Sequence, residues 1–399
     1  MTTNPCTDTT AAVPSSPPAH PLVARARELT PLIHAHQPEA ETACRMAPAV
    51  HAALARAGFY RATAPREVGG DELPLPTQVR VADALGYADP SVAWCVINSW
   101  ASGTVASRIT PAARQRLFAI PDAFFGFGFA PGGHAVLTAD GYRLHGQWPV
   151  VSGCQLARWF VLGSRLPDGD HPQPSPDGPR VRYLVVAAEH VDVLDTWSDV
   201  SGLRGSGSHA VRVVDAPVPA DFACGFNDPP LLDRPAYRLN NLLYQVNVGA
   251  VLLGAARAAV DALMTQARSR VSVALGQSWR DWPTVQDTLA TAVAAVLAAR
   301  AGLVEVSEQA WEAVQDRAAV PPACRAAVYA LVDHAHRTAR EVVSRLYTAG
   351  SIDVLHRGHS LERLMRDVHA MSVNWTRYRQ VHYDAGRVLL GLAALSPLY

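Results

Sequence analysis

Lysine is absent from this 399-residue chain, so its 35 basic side chains other than histidine are all arginine. That excludes a Schiff base and the phosphate-binding lysine of a P-loop, both of which need a primary amine. Charge is sparse, at 18% of residues, and 35 acidic groups cancel the arginines to a net charge of zero. Nucleic acid and acidic membranes are bound through a basic field, so neither is an expected partner. The six cysteines, Cys6, Cys44, Cys95, Cys154, Cys224 and Cys324, lie far apart and form no CxxC pair. Free thiols in a reducing cytoplasm are therefore expected. No GxGxxG fingerprint follows a strand, since Gly126-Phe-Gly128 lacks both the third glycine and a following helix. No metal is expected: His334 and His336 come nearest to ligand spacing, and i,i+2 residues of a helix do not face one another. The opening MTTNPCTDTT has neither the basic nor the apolar region of a signal peptide. With no uncharged apolar run of about 18 residues, a membrane span is not expected either.

What the chain does have is 49% hydrophobic residues, enough for a sizeable core, and length for two or three domains. Residues 1–20, rich in Thr, Pro and Ser, read as a disordered tail. From residue 21 to about 120 apolar residues recur at helical spacing, as in Ala47–Gly58 and Thr77–Leu85, punctuated by Gly58, Pro65 and Asp89-Pro90. Between about 121 and 235 the pattern shortens to alternating runs: Ala135–Leu137, Tyr142–Leu144, Trp159–Leu162, Arg182–Val186 and Ala210–Val214. Turn clusters separate them, which predicts a small antiparallel β domain with an exposed loop at Asp168–Pro179. From 236 to 399 the chain is Ala- and Arg-rich and helical. Val328, Leu331, Val332, Ala335, Ala339, Val342 and Leu346 form one apolar stripe, with Gly350 as its stop. Leu361, Leu364, Met365, Val368, Met371 and Trp375 form another, so a helical bundle is expected.

Two segments carry the chemical signal: Trp148-Pro-Val-Val-Ser-Gly-Cys154 and Ser201-Gly-Leu-Arg-Gly-Ser-Gly-Ser208. The first sets a hydroxyl between an apolar run and a glycine. By alternation Trp148, Val150 and Ser152 share one face. The second is a turn able to bring N–H groups and hydroxyls close to a ligand. Taken alone, Ser152 reads as a strand-end serine capping its own backbone, and Ser206 and Ser208 as part of a solvated turn. Gly141–Cys154, Gly58–Gly70, Val211–Pro219 and Glu362-Arg-Leu-Met-Arg-Asp367 together resemble the acyl-CoA dehydrogenase superfamily. The resemblance spans nearly all of the chain past residue 20 and is greatest to the branch of flavin-dependent two-component monooxygenases.

That resemblance implies an α+β fold: an N-terminal helical domain, a central antiparallel β-barrel domain and a C-terminal four-helix bundle. It implies FMN or FAD as cofactor, delivered in reduced form by a separate flavin reductase, and a homodimer or homotetramer. It places the flavin against Val150, Val151, Ser152, Gly153, Ser206 and Ser208, with Ser152 at the N5 edge. Arg268 falls where the superfamily binds a flavin phosphate, usually a neighbouring subunit's, and Gln286 and Gly350-Ser351 fall at its flavin-contact regions; on its own residues Arg268 is equally a solvated helix end. Asn98, Ser102, Trp197, Met371 and Trp375 fall toward the substrate. The register set by Glu362–Asp367 puts Trp375 where a straight-chain dehydrogenase has its glutamate base, and an indole cannot take a proton from a thioester. Asn374 stands where a monooxygenase often has histidine; its amide bonds a carbonyl but relays no proton near neutral pH. His134, His209, His356, His359 and His369 remain as substitutes, none of them assigned a catalytic role. A monooxygenase acting on a small organic substrate that needs little deprotonation, such as an amine, a thioether or an electron-rich ring, is the leading expectation. The arginine-, alanine- and proline-rich composition fits a GC-rich bacterial gene and secondary metabolism. A flavin dehydrogenase or oxidase, or a non-redox step such as cyclisation, are the alternatives.

Overall fold

The computed structural model describes residues 20–120, 122–167, 181–225, 228–239, 242–272, 276–316, 320–376 and 379–396. The expected tail, apart from residue 20, and the loop expected at Asp168–Pro179 lie outside the described residues. The N-terminal part is helical: α1 (Pro21–Glu28), α2 (Thr30–Ala35), α3 (Gln37–Ala43), α4 (Pro48–Arg56), α5 (Leu75–Ala88), α6 (Pro90–Ser99), α7 (Ala101–Ala106) and α8 (Pro111–Leu117). Most of these helices carry proline in the first turn, where the missing N–H costs nothing and the fixed φ already suits a helix. Asp89 adds a side-chain cap to α6, accepting from the N–H groups of Ser91 at 2.8 Å and Val92 at 3.1 Å.

The middle of the chain forms β1 (Phe124–Thr138), β2 (Gly141–Trp148), β3 (Ala157–Arg165), β4 (Val181–Ala187), β5 (Asp192–Leu194), β6 (Ala210–Pro219) and β7 (Ala223–Cys224). Among the described residues the sheet order is β5-β6-β2-β1-β3-β4-β7. This corrects the expected antiparallel barrel. The sheet is open, with β5 bonded only to β6 and β7 only to β4, and it is mixed, because β1 and β3 run parallel. The cause lies in β1. It pairs antiparallel with β2 over Gly133–Thr138 and parallel with β3 over Phe124–Gly128 and, past a shift of register, at Gly133 and His134. The glycines of β1 also make room for an indole. A Cβ on Gly132 or Gly133 would stand 2.9 and 2.5 Å from the Trp148 ring, which is buried there with Nε1 donating to the Gly163 carbonyl at 2.7 Å.

The C-terminal part comprises α9 (Leu242–Ser269), α10 (Pro283–Asp316), α11 (Pro322–Ala349), α12 (Ser360–Thr376) and α13 (Arg379–Leu389). The predicted stripes face the core: Val328, Val332, Ala335, Ala339, Val342 and Leu346 of α11, and Leu361, Leu364, Val368 and Met371 of α12, are buried. Gly350 does stop α11, but at φ −68°; the left-handed position passes to Ser351, at φ +60°. The N-terminal helices and the bundle share one core, joined where α5 crosses α9. A Cβ on Gly86 would lie 2.3 Å from the Val251 carbonyl oxygen, and one on Gly254 would lie 2.2 Å from that of Asp83. Beside this crossing Asp83 takes both Nε and Nη2 of Arg300 at 2.8 Å and Nη2 of Arg257 at 3.2 Å, tying α5, α9 and α10 together.

Because the crossing is backbone on backbone, Gly254→Ala must push the two helices apart. Overpacking of this kind costs about 1–3 kcal/mol or more. The urea midpoint should fall without a change in slope, while Gly386→Ala, where a Cβ would meet nothing within 4 Å and the backbone is helical, should not lower it.

Candidate active site

The site starts where β2 ends. Pro149 has no N–H to continue the ladder, and the chain turns through Val150–Cys154. Alternation therefore fails past Trp148, and the expected common face of Trp148, Val150 and Ser152 does not form: Val150 is half-exposed, while the other two are buried. The turn is laced to the second segment. Val151 N–H donates to His209 O at 3.0 Å and Gly153 N–H to Ser206 O at 2.8 Å. Gly153 adopts φ +66°, and the Phe124 ring would be 2.6 Å from any Cβ there.

This lacing brings three serines into line. Ser152 Oγ lies 2.8 Å from Ser208 Oγ, which lies 2.7 Å from Ser206 Oγ, which donates to Leu203 O at 2.7 Å. At the other end Trp94 Nε1 of α6 donates to Ser152 Oγ at 2.8 Å. All four side chains are more than 90% buried. Neither Ser152 capping its own backbone nor a solvated turn describes this arrangement. Sequence reasoning had no role for Trp94. The available signal was an indole N–H in the early part of an otherwise apolar helix, where a buried donor requires an acceptor.

The Ser201–Ser208 loop is seated by α12. Leu203 sits at φ +53°, which a branched side chain rarely adopts, and Asp367 Oδ1 accepts its N–H at 2.7 Å. Gly202 packs on the Arg366 carbonyl, and Arg366 donates to Ser201 O at 2.6 Å and to Glu41 of α3 at 2.9 Å. Arg363 reaches Asp89, the cap of α6, at 2.7 Å. Glu362–Asp367 is therefore more than a helix with internal i,i+4 pairs, because its charges fasten α12 to α3, α6 and the loop. Full burial raises the Asp367 carboxyl to about 7, with Arg363 opposing and Asp89 and Glu41 reinforcing the shift.

The other predicted residues separate into groups. Asn98 is buried and turns its Nδ2 back to Trp94 O at 2.7 Å. Ser102 is buried, and its hydroxyl has no partner among the described residues. Met371 is buried on α12. Asn374 and Trp375 lie on the last turn of the same helix, with side chains outside the described residues. Trp197 donates its indole N–H to Leu203 O at 3.0 Å, so it braces the loop. Arg268 is exposed at the end of α9. Its neighbour Arg270 instead stacks on Trp279 and pairs with Asp353. Gln286 donates to Arg280 O. Gly350 takes Gln266 Nε2 on its carbonyl, and Ser351 edges an open cleft of about 700 Å³ lined also by Trp279, Trp282, Arg345 and Thr348. Of the histidines, His209 Nδ1 accepts the N–H groups of Thr196 and Trp197, which makes it structural. His369 bonds Ser344, His359 Nδ1 caps Leu361 N–H, and His134 and His356 are exposed. The buried thiol of Cys154 is pushed up to about 12 and stays protonated.

An all-helical front, a sheet and a bundle, with a serine-lined turn between them, define a flavoenzyme class by fold and sequence together. Residues 24–119 match the N-terminal domain model of acyl-CoA dehydrogenase and residues 246–375 match its C-terminal domain model. The chain belongs to the acyl-CoA dehydrogenase family. It is 28% identical over 335 residues to indole-3-acetate monooxygenase of Pseudomonas putida, covering 84% of each protein. It is 29% identical over 306 residues to the oxygenase component of FADH(2)-dependent resorcinol hydroxylase of a Rhizobium species, covering 70% of each. The crystal structure of 3-HSA hydroxylase from Rhodococcus sp. RHA1 superposes with a TM-score of 0.86 at 23% identity, over 96% of this chain and 100% of that one.

Asp367 gives a pH signature. Its folded pKa, about 7, lies above the ordinary 3.8, so folding takes up a proton between roughly these values. The stability it contributes is complete below the lower value and declines as pH rises through the upper. Asp367→Asn should flatten that part of the profile, so the variant gains on the parent as pH climbs from 4 to 7. Urea midpoints across that range check the sign, and parallel profiles would show that Asp367 is ionised throughout.

Proposed function

We propose that the chain is the oxygenase component of a two-component flavin-dependent monooxygenase. Reduced FMN or FAD comes from a separate reductase, and the product is an oxygenated small organic molecule. The observation that carries the reading is Ser152: a buried hydroxyl fixed by Trp94 and Ser208 on a turn whose next exposed side chain is the apolar Val150. Hydroxyl, apolar face and close-set glycines suit the polar edge and flat face of an isoalloxazine ring. The residues present therefore fit a flavin, and the family membership and the monooxygenase relatives support the choice.

The assignments follow. Val150, Val151, Ser152 and Gly153 hold the ring, with Ser206 and Ser208 behind them. Arg268 serves flavin phosphate, that of a neighbouring copy, and Gly350-Ser351 contact the flavin. Asn98, Ser102, Met371, Asn374 and Trp375 face substrate, and Trp197 supports the loop between. When bound, the reduced flavin supplies the electrons with which dioxygen is activated. The protein's share is orientation and exclusion of water. Ser152 fixes the ring edge. Ser102 has an unused buried hydroxyl to offer substrate. Asn374 can hold a carbonyl without exchanging a proton, which suits an amine, thioether or electron-rich ring in cytoplasmic secondary metabolism.

Two measurements test this. With a flavin reductase, NADH and oxygen, parent protein should couple flavin oxidation to oxygenated product. Ser152→Ala should divert it to hydrogen peroxide several-fold, the scale of one lost hydrogen bond of about 1 kcal/mol. Product formed without oxygen would replace the monooxygenase with a dehydrogenase or a non-redox enzyme.

The second concerns assembly. Helix α10 carries a long apolar stretch, yet only 28% of its most apolar window is buried. Ala290, Val293, Ala294, Leu297, Ala298 and Ala301 form its exposed face. A second copy of the chain is the proposed cover, giving a homodimer or homotetramer. Light scattering should show a multimer at micromolar concentration, and Leu297→Glu should dissociate it. A monomeric parent would remove both the assembly and the neighbour's phosphate from the proposal.

A further inference from the structure

The serine chain has a direction, and the direction follows from what each end can do. The Trp94 indole N–H can only donate, so Ser152 Oγ accepts from it. The Leu203 carbonyl can only accept, so the single proton of Ser206 is committed to it. The 2.7 Å contact between Ser206 and Ser208 then requires the proton of Ser208, and the 2.8 Å contact between Ser208 and Ser152 requires that of Ser152. The hydroxyl protons thus all run one way, from Ser152 toward Leu203. Ser152 has given its proton to Ser208 and one lone pair to Trp94. What it keeps for a ligand is a lone pair.

We infer that this polarity makes Ser152 a selector of flavin redox state, with Ser206 and Ser208 as positioning residues. The inference rests on the flavin reading above. Ser152 would offer that lone pair to the N5–H of a reduced isoalloxazine. The oxidised ring presents only a lone pair at N5, which needs a donor. For Ser152 to supply one, Ser208 must donate to Ser152 and Ser206 to Ser208, and the bond from the Ser206 hydroxyl to the Leu203 carbonyl is lost. Leu203 O keeps its contacts from Ser206 N–H and Trp197 Nε1, both at 3.0 Å, so the reversal forfeits one hydrogen bond rather than orphaning a buried carbonyl. Reduced flavin is therefore favoured by about five- to tenfold through this chain. An oxygenase that receives its flavin reduced and must release it oxidised gains directly from such a bias.

The test measures affinity, not turnover. FMN and FAD, each oxidised and each dithionite-reduced under nitrogen, are titrated into parent, Ser206→Ala and Ser208→Ala proteins, and the potential of bound flavin is read in parallel. The parent should bind the reduced form more tightly. Ser206→Ala frees Ser208 to donate to Ser152 at no loss, so oxidised flavin should tighten about five- to tenfold while reduced flavin stays put. A tenfold change in the ratio corresponds to about 30 mV in the two-electron potential. Ser208→Ala frees the Ser152 proton directly and should lower the ratio in the same sense, which keeps the idea testable if the other variant folds poorly. Simple loosening of the turn would weaken both redox forms together and leave the ratio unchanged, and that result overturns the inference. Equal affinity of the parent for both forms overturns it too, while the flavin reading stands. Binding of neither form removes both.

Discussion

The Asp367 carboxylate on the Leu203 amide is the contact on which the rest of the site depends. A leucine at φ +53° is held against its own sterics, since a left-handed conformation costs roughly 1–2 kcal/mol for a residue with a Cβ. Here the cost is offset from both sides. The N–H is taken by a fully buried carboxylate, and the C=O collects the Ser206 hydroxyl, the Ser206 amide and the Trp197 indole. That one bend turns the chain so that Ser206 and Ser208 face Ser152. With a right-handed leucine, the three hydroxyls would not line up.

The bend is trapped by charge as well as by hydrogen bonds. Asp89 uses one oxygen to cap α6 and the other to hold Arg363 of α12, and both side chains of this pair are nearly sealed from water. Leaving either partner unpaired in that setting is the costly event, on the order of 3–5 kcal/mol, whatever the net worth of the pair itself. Helix α6, which carries Trp94, and helix α12, which carries Asp367, are thereby set in one register. The donor end and the anchored end of the serine chain are fixed by the same ion pair. Position along the chain explains little of this, since Asp89 and Arg363 are 274 residues apart.

Much of this was legible in the sequence, for physical reasons. Long amphipathic stripes such as Val328–Leu346 can be buried in only one way, and strand runs separated by turn clusters have few other readings. The pairing of the Ser152 and Ser208 segments came through resemblance, because nothing local in either segment reports a partner more than 50 residues away. What failed was what depends on tertiary context. Alternation predicted a shared face for Trp148, Val150 and Ser152, and Pro149 ended the strand first. The barrel expectation assumed hairpins throughout, and β1 instead takes β2 antiparallel on one edge and β3 parallel on the other. Trp94 went unassigned because an indole in an apolar helix is ordinarily core, and only the neighbouring turn shows that its N–H is used.

Under the proposed function, a site to which no histidine is assigned takes on a meaning once the serine chain is in place. A histidine beside a reacting ring brings a proton that comes and goes near neutral pH. Hydroxyls, an indole and a backbone carbonyl carry no such group, so the hydrogen-bonding character of Ser152 is set by connectivity rather than by pH. Asp367 acts on Leu203 N–H, whereas the serines end on Leu203 C=O; these belong to different peptide units, so protonation of Asp367 reaches the serines only by moving the bend. A site arranged this way trades the capacity to move protons for a fixed polarity. That trade suits a reaction in which the cofactor arrives already carrying its electrons and hydrogen, and the substrate yields its own electron density without first being deprotonated.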